Sequence, residues 1–261
     1  MSRLAPLRHR NRWQYTDQID LRRPELPPRP ATITAEPTAI TFDTARTALI
    51  AVDLQNDFCT PGGWLDSIGV DVSVLDRAVE LTAQIVPAAR AAAIPIIWLN
   101  WGNRPDQANI PPGVAHVYDP DGTGRGIGYR LPGKESAVLA KDSWGAALVD
   151  ALAPEPADIH VDKYRMSGFW DTPLDTVLRN LRIDTLLFAG VNSDQCVYAT
   201  LIDAACLGYD VVLLTDASAT TSPAYCHDAT VYNTKQCFGF TATAGDLLDA
   251  LNVQASKEAD S

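Results

Sequence analysis

Downstream of residue 46 the chain alternates short apolar runs with longer amphipathic stretches, and upstream of it no such alternation exists. The runs at 47–53, 94–99, 159–162, 185–190 and 209–215 are too short for helices and apolar on consecutive positions, the pattern of strands buried on both faces. A last short strand is predicted at 238–241. Between them lie helical patterns. Ser73 and Asp76 form a capping-type pair ahead of Leu75, Val79, Val86 and Ala89, with Pro87 expected to kink or divide the helix. Further helices are predicted at 144–152, at 173–180 with Pro173 in the first turn, at 193–208 with Gly208 as a stop, at 223–235 and at 247–251. Residues 101–135 are rich in Gly and Pro without periodicity and read as one long loop, a length that usually signals function.

A β-α-β-α order predicts an α/β fold: one open parallel sheet with helices on both faces, a three-layer α/β/α single domain over 46–261. Residues 1–45 carry Arg22-Arg23-Pro24 and Pro27-Pro28-Arg29-Pro30 and predict an extended N-terminal arm, wrapped on its own domain or on a neighbouring subunit, or else a partly disordered tail.

Composition narrows the partners. The 261 residues carry a net charge of −11, which argues against a nucleic-acid groove or a polybasic membrane patch. No run of 18 apolar residues exists and no apolar core follows the basic N-terminus, so a cytoplasmic protein is expected. Five scattered cysteines without a C-x-x-C pair point to reduced thiols, and four histidines without H-x-H or H-x-x-x-H spacing give no support to a metal site or a His-based triad.

In an open parallel sheet, ligands bind at the carboxyl ends of the strands. Asp53, Lys163 and, just past Gly190, Cys196 fall there. A thiol at a helix start beside an ammonium is expected to have a lowered pKa, Asp53 can take and return its proton, and free amides near Asn192 and Cys196 can receive an oxyanion. Taken singly, a buried Cys, a turn Asp and a solvated Lys are the bland alternatives. Three such residues at matching strand ends favour acyl-transfer chemistry.

Three segments also resemble the isochorismatase-like cysteine hydrolases over about residues 43–250: Asp53-Leu54-Gln55-Asn56-Asp57-Phe58, Lys163 with Ser167-Gly168-Phe169, and Gly190 through Val197 with Thr200 and Asp203. The resemblance implies a Rossmann-like fold, a Cys196-Asp53-Lys163 triad, a cis peptide between Val191 and Asn192, oxyanion-hole amides of Asn192 and Cys196, and homodimers or homotetramers. It implies no cofactor. Members that bind a metal place an Asp and two His after the second strand, where this chain reads Asn100-Trp101-Gly102-Asn103-Arg104, so no metal is expected. Members lacking the Cys cleave vinyl ethers, so Cys196 points to amide bonds. Ile202 replaces an Arg common among relatives, which removes a partner for Asp203.

Within that family the chain is most similar to the ureide hydrolases acting on biuret, triuret or ureidoacrylate. A planar ureide needs donors and acceptors along its length, and the candidates for substrate binding are Asn56, Phe58, Asn100, Arg104, Trp144, Phe169, Tyr232 and Gln236, with Asn192 and Asn233 nearby and Trp64 and Trp101 as walls. Arg104 is alternatively a solvated loop cation, and Phe58 and Phe169 are alternatively core residues. Two other functions stay open: an amidase for another small amide (an N-carbamoyl amino acid, a lactam or nicotinamide), or an inactive binding protein of the same fold.

Overall fold

A computed structural model of the protein describes residues 10–259, with side chains through 255. The described part of the arm carries two small antiparallel hairpins, β1 (Gln14–Tyr15) with β2 (Ile19–Asp20) and β3 (Pro30–Ile33) with β4 (Ile40–Asp43). It lies on its own domain. Arg10 is buried and donates to the carbonyls of Ala45 and Ala93, and Arg182 donates to those of Arg10 and Pro24. Residues 1–9 of the predicted arm lie outside the described residues.

Six parallel strands form the central sheet: β5 (Thr47–Val52), β6 (Ile96–Trp101), β7 (Ile159–Lys163), β8 (Thr185–Gly190), β9 (Asp210–Ser218) and β10 (Phe240–Ala242), in the order β10-β9-β8-β5-β6-β7. Every residue of β5, β6 and β8 is buried, as consecutive apolar positions predict. Glu36 of the arm exchanges backbone hydrogen bonds with Thr241, covering the open edge of β10.

Short helices α1 (Asn56–Cys59) and α2 (Trp64–Ser67) follow β5, and α3 (Asp76–Ala91) leads to β6. Then come α4 (Pro112–Tyr118), α5 (Leu174–Asn180), α6 (Tyr198–Cys206), α7 (Ala224–Asn233) and α8 (Ala244–Ala259). Helix α3 covers one sheet face, where its Arg90 and the Trp98 indole share Asp158. Helix α6 covers the other: its Thr200 hydroxyl accepts from the Gly168 amide, and a Cβ on Gly168 would strike Leu99.

Several expectations change. Pro87 does not divide α3, which runs unbroken from Asp76 to Ala91. Asp71, not the Ser73–Asp76 pair, caps the turn that precedes it. The predicted helix at 144–152 is irregular backbone ending in a 3-10 turn at Asp150–Leu152. Its polar groups are claimed from outside: Asn56 and Asp57 amides donate to the Ala147 and Gly145 carbonyls, and the Val149 amide donates to Leu54. The segment at 101–135 is not all loop, since α4 lies within it.

Candidate active site

The chain leaves β5 for β6 and β7 on one side and later returns through β8 on the other. The topological switch point therefore lies between the carboxyl ends of β5 and β8. Asp53 follows β5 with φ of 51°, an uncommon conformation that Asp tolerates better than most residues. At the end of β8, Gly190 has φ of +127°, and a Cβ there would lie 2.1 Å from the Val52 carbonyl oxygen, so the two strand ends meet only over glycine. Lys163 ends β7. The peptide between Val191 and Asn192 is cis.

The geometry brings Asp53, Lys163 and Cys196 into one buried cluster. Lys163 Nζ lies 2.9 Å from Asp53 Oδ2 and 3.2 Å from Cys196 Sγ, and it also donates to the Arg165 carbonyl at 3.3 Å. Exposures of 0%, 1% and 4% for Lys163, Asp53 and Cys196 remove bulk water from all three. Asp53 Oδ1 accepts the Trp101 amide at 3.0 Å. The Trp101 ring lies 4.0 Å from Lys163 Nζ. Tyr118 meets Trp101 edge-to-face and lies tilted against Trp64, with centroids 5.1 Å away in each case, and Met166 Sδ lies 3.7 Å from the sulfur.

Burial decides the protonation states. It pushes the Cys196 thiol up to about 12, although the Lys163 charge opposes the shift and the Trp101 indole N–H also favours the thiolate. The lowered pKa expected from a helix start is therefore not found. Cys196 sits inside a π-turn, Ser193–Val197, ahead of α6, and desolvation outweighs the lowering effects of Lys163 and Trp101. Desolvation also raises Asp53, against the lowering effect of Lys163 and of a hydrogen bond from the thiol. Desolvation thus disfavours charge on both the thiol and the carboxylate, while the neighbouring Lys163 favours it on each.

The first segment does more than supply Asp53. Gln55 donates to the carbonyls of Trp101 and Ala146 and accepts the Trp101 amide. Asn56 donates to the Trp144 carbonyl and accepts from Thr60, so its amide holds the 139–149 segment and is not turned to a ligand. Asp57 accepts the Leu139 amide at 2.7 Å.

The other proposed binding residues scatter. Asn100 stands in register with Asp162, on the face opposite Trp101 and Lys163, because side chains alternate along a strand. It lines a cleft of about 620 Å³ to which none of the three clustered residues contributes. Arg104 is exposed and doubly bonded to Asp106. Trp144 is 38% exposed under the Lys134 ammonium, and Phe169 packs on Tyr209. Phe58 is buried against Trp64. Tyr232 and Gln236 are exposed on α7 and the turn after it, with Tyr232 lining a cleft beside His227. Asp203, without an Arg partner, accepts the Trp170 indole N–H at 2.7 Å.

Tyr118 and Met166 escape a reading of the sequence. Pro111-Pro112 is a helix-start signal that marks α4 and so Tyr118; Met166 has no signal of its own. Among the described residues no group of three His, Cys, Asp or Glu is placed to hold a metal ion, and no helix is long and apolar enough to cross a membrane.

A sequence profile described as the isochorismatase domain matches residues 47–246. Among solved structures, a cysteine hydrolase from Pseudomonas syringae pv. phaseolicola is 27% identical with a TM-score of 0.69, the alignment covering 82% of this chain and 95% of that one. An isochorismatase family protein from Desulfovibrio vulgaris is 26% identical with a TM-score of 0.64, over 79% and 98%. An N-carbamoylsarcosine amidase from Thermoplasma acidophilum, 22% identical with a TM-score of 0.57 over 76% and 96%, shares the fold.

Proposed function

This chain belongs to the isochorismatase domain family, and from that premise we propose that it is a metal-independent cysteine hydrolase cleaving a C–N amide bond of a small ureide. The observation that carries the proposal is the position of Lys163 Nζ, 2.9 Å from Asp53 and 3.2 Å from Cys196 Sγ in a water-excluded site. The name of the 27% identical cysteine hydrolase supports the same chemistry.

Asp53 takes the thiol proton as the sulfur attacks the substrate carbonyl carbon. A C–S bond forms, and the carbonyl electron pair moves to oxygen, where the amides of Asn192 and Cys196 receive it. The Lys163 charge offsets the cost of generating a thiolate from a thiol held up at about 12. Collapse of the tetrahedral intermediate breaks the C–N bond, and Asp53 returns its proton to the leaving nitrogen, releasing ammonia or a small amine. Water, deprotonated by Asp53, then attacks the thiocarbamate, the C–S bond breaks, and Asp53 returns the proton to the sulfur, restoring the thiol.

Ammonia release over a panel of biuret, triuret, ureidoacrylate, N-carbamoyl amino acids and nicotinamide tests the proposal. Turnover of a ureide that vanishes in Cys196→Ala is the expected result. Full activity in that variant, or turnover of nicotinamide alone, overturns it. The same proposal includes a reducing, cytoplasmic setting, in keeping with five free cysteines, and a homodimer or homotetramer in which the exposed Tyr225 and Tyr232 of α7 are covered. Light scattering that returns a monomer removes the assembly.

A further inference from the structure

Asn103 is 0% exposed, yet neither its Nδ2 nor its Oδ1 has a hydrogen-bond partner. An unpaired buried amide costs free energy on each of its polar atoms, and a position held only for packing favours an apolar residue. Its backbone is fully engaged, with its amide donating to Leu139 and its carbonyl accepting from Lys141, so the chain is fixed while the side chain is left unsatisfied.

The direction of that side chain follows from the strand. The β6–β7 ladder extends one residue past β6, with the Gly102 amide donating to the Lys163 carbonyl at 3.0 Å. A Cβ on Gly102 would lie 2.5 Å from the Asp162 carboxylate, on the sheet face away from the triad. Alternation then returns Asn103 to the face of Trp101 and Lys163, ~6.6 Å along the strand from Trp101. The Trp101 indole N–H, which favours the Cys196 thiolate, belongs to that same face. The donor and the acceptor of the Asn103 carboxamide are thus buried and unpaired on the sheet face that carries Lys163.

We propose that Asn103 is the specificity residue of this site: its carboxamide pairs, donor to carbonyl and acceptor to N–H, with the far amide of an uncharged ureide whose near carbonyl lies at Cys196. The inference rests on the function proposed above and deepens it. An acceptor oxygen disfavours a carboxylate at that end, and the cations of the surrounding loops are engaged elsewhere: Arg104 with Asp106, Lys141 with Asp162 and Arg165 with Asp171. Uncharged biuret and triuret therefore fit the site better than ureidoacrylate.

The test combines kinetics, binding and stability of Asn103→Leu and Asn103→Asp in the full chain. Asn103→Leu is expected to lower kcat/KM for biuret and triuret by about 100-fold or more, because a site built around a hydrogen-bonded group loses discrimination steeply when that bond is removed. Its melting temperature without ligand is expected to equal or exceed that of the wild type, since the lost polar atoms had no partner. Titration calorimetry with biuret in a Cys196→Ala background is expected to show binding that Asn103→Leu abolishes. A kcat/KM within threefold of wild type, a melting temperature that falls in both variants, or no binding of biuret or triuret to Cys196→Ala overturns the role of Asn103. Ureide turnover that survives Cys196→Ala overturns the catalytic proposal instead. Binding lost in Asn103→Leu without any turnover by the wild type upholds Asn103 and removes only the hydrolase.

Discussion

The rim of the sheet and the segment that covers it are built on different principles. Asp53 and Lys163 stand at the ends of strands whose backbones are locked into a parallel ladder, and Cys196 hangs on the turn that leaves a third strand. The cover, residues 103–149, contains little regular structure and is held by side chains of the first segment: Gln55 on Ala146, Asn56 on Trp144, Asp57 on Leu139. Rigid elements fix the reacting groups to a fraction of an ångström, and the irregular cover can vary without disturbing them. Under the proposed function the rim sets the bond-breaking chemistry and the cover sets substrate choice.

If that division holds, the largest losses come from the rim. Asp53→Asn keeps the shape and the Trp101 contact but removes the proton acceptor, and kcat is expected to fall about 10³–10⁴-fold, near the upper range for general acid–base groups. Single-turnover ammonia release checks this, and a loss below tenfold moves the base elsewhere. Next is the thiol itself. Because burial holds Cys196 up at about 12, the neutral thiol dominates at neutral pH. Its alkylation by iodoacetamide is expected to climb about tenfold per pH unit from pH 7 toward 11, while the exposed thiols of Cys206 and Cys237 react first at neutral pH. Peptide mapping of alkylation against pH reads both rates, and a plateau for Cys196 below pH 8 means a thiolate already formed.

The same division explains how much was legible. Apolar runs gave away β5, β6 and β8, and the strand-end rule then placed Asp53, Lys163 and Cys196 together, because both signals are local and periodic. The thiol's protonation was not legible, since it depends on how much polypeptide lies over it, and helix position alone pointed the wrong way. Asn56 and Asn100 were read as ligand contacts on residue type, without register or tertiary partners. Only register reveals that Asn100 faces away from Lys163, and only the tertiary partner at Trp144 reveals that Asn56 is occupied. Asn103 falls within the predicted loop at 101–135, and its unpaired carboxamide appears only once burial is known.

Tyr118 probes the inner layer of the cover. Its ring is 8% exposed and packed against Trp101 and Trp64, and its hydroxyl is pushed well above the ordinary tyrosine range by burial and by the nearby Cys196 and Asp53. Tyr118→Ala is expected to cost about 3–5 kcal/mol of stability, the range for deleting a buried aromatic ring. It is also expected to lower kcat/KM about 10–100-fold by admitting water to the triad. Tyr118→Phe keeps the ring and is expected to hold both quantities near wild type. Urea unfolding alongside kinetics separates the two effects, and equal behaviour of the two variants removes the ring's role.

Arg104 probes the outer layer, where the smallest effect is expected. Its guanidinium forms two hydrogen bonds to Asp106 and both side chains are more than half exposed, so the pair is solvated and contributes little to stability. The charge faces its own loop, two residues from its partner, and the Arg104 amide N–H already donates to Asn109 Oδ1. Arg104→Ala is therefore expected to leave kcat/KM for an uncharged ureide within about twofold of wild type. A carboxylate-bearing substrate sharpens the comparison. If Arg104 reaches into the site when such a ligand binds, ureidoacrylate turnover drops at least tenfold in Arg104→Ala while biuret turnover does not, and the outer cover would then share in recognition. Parallel kcat/KM values for the two substrates in wild type and variant decide between a spectator cation and one that takes part.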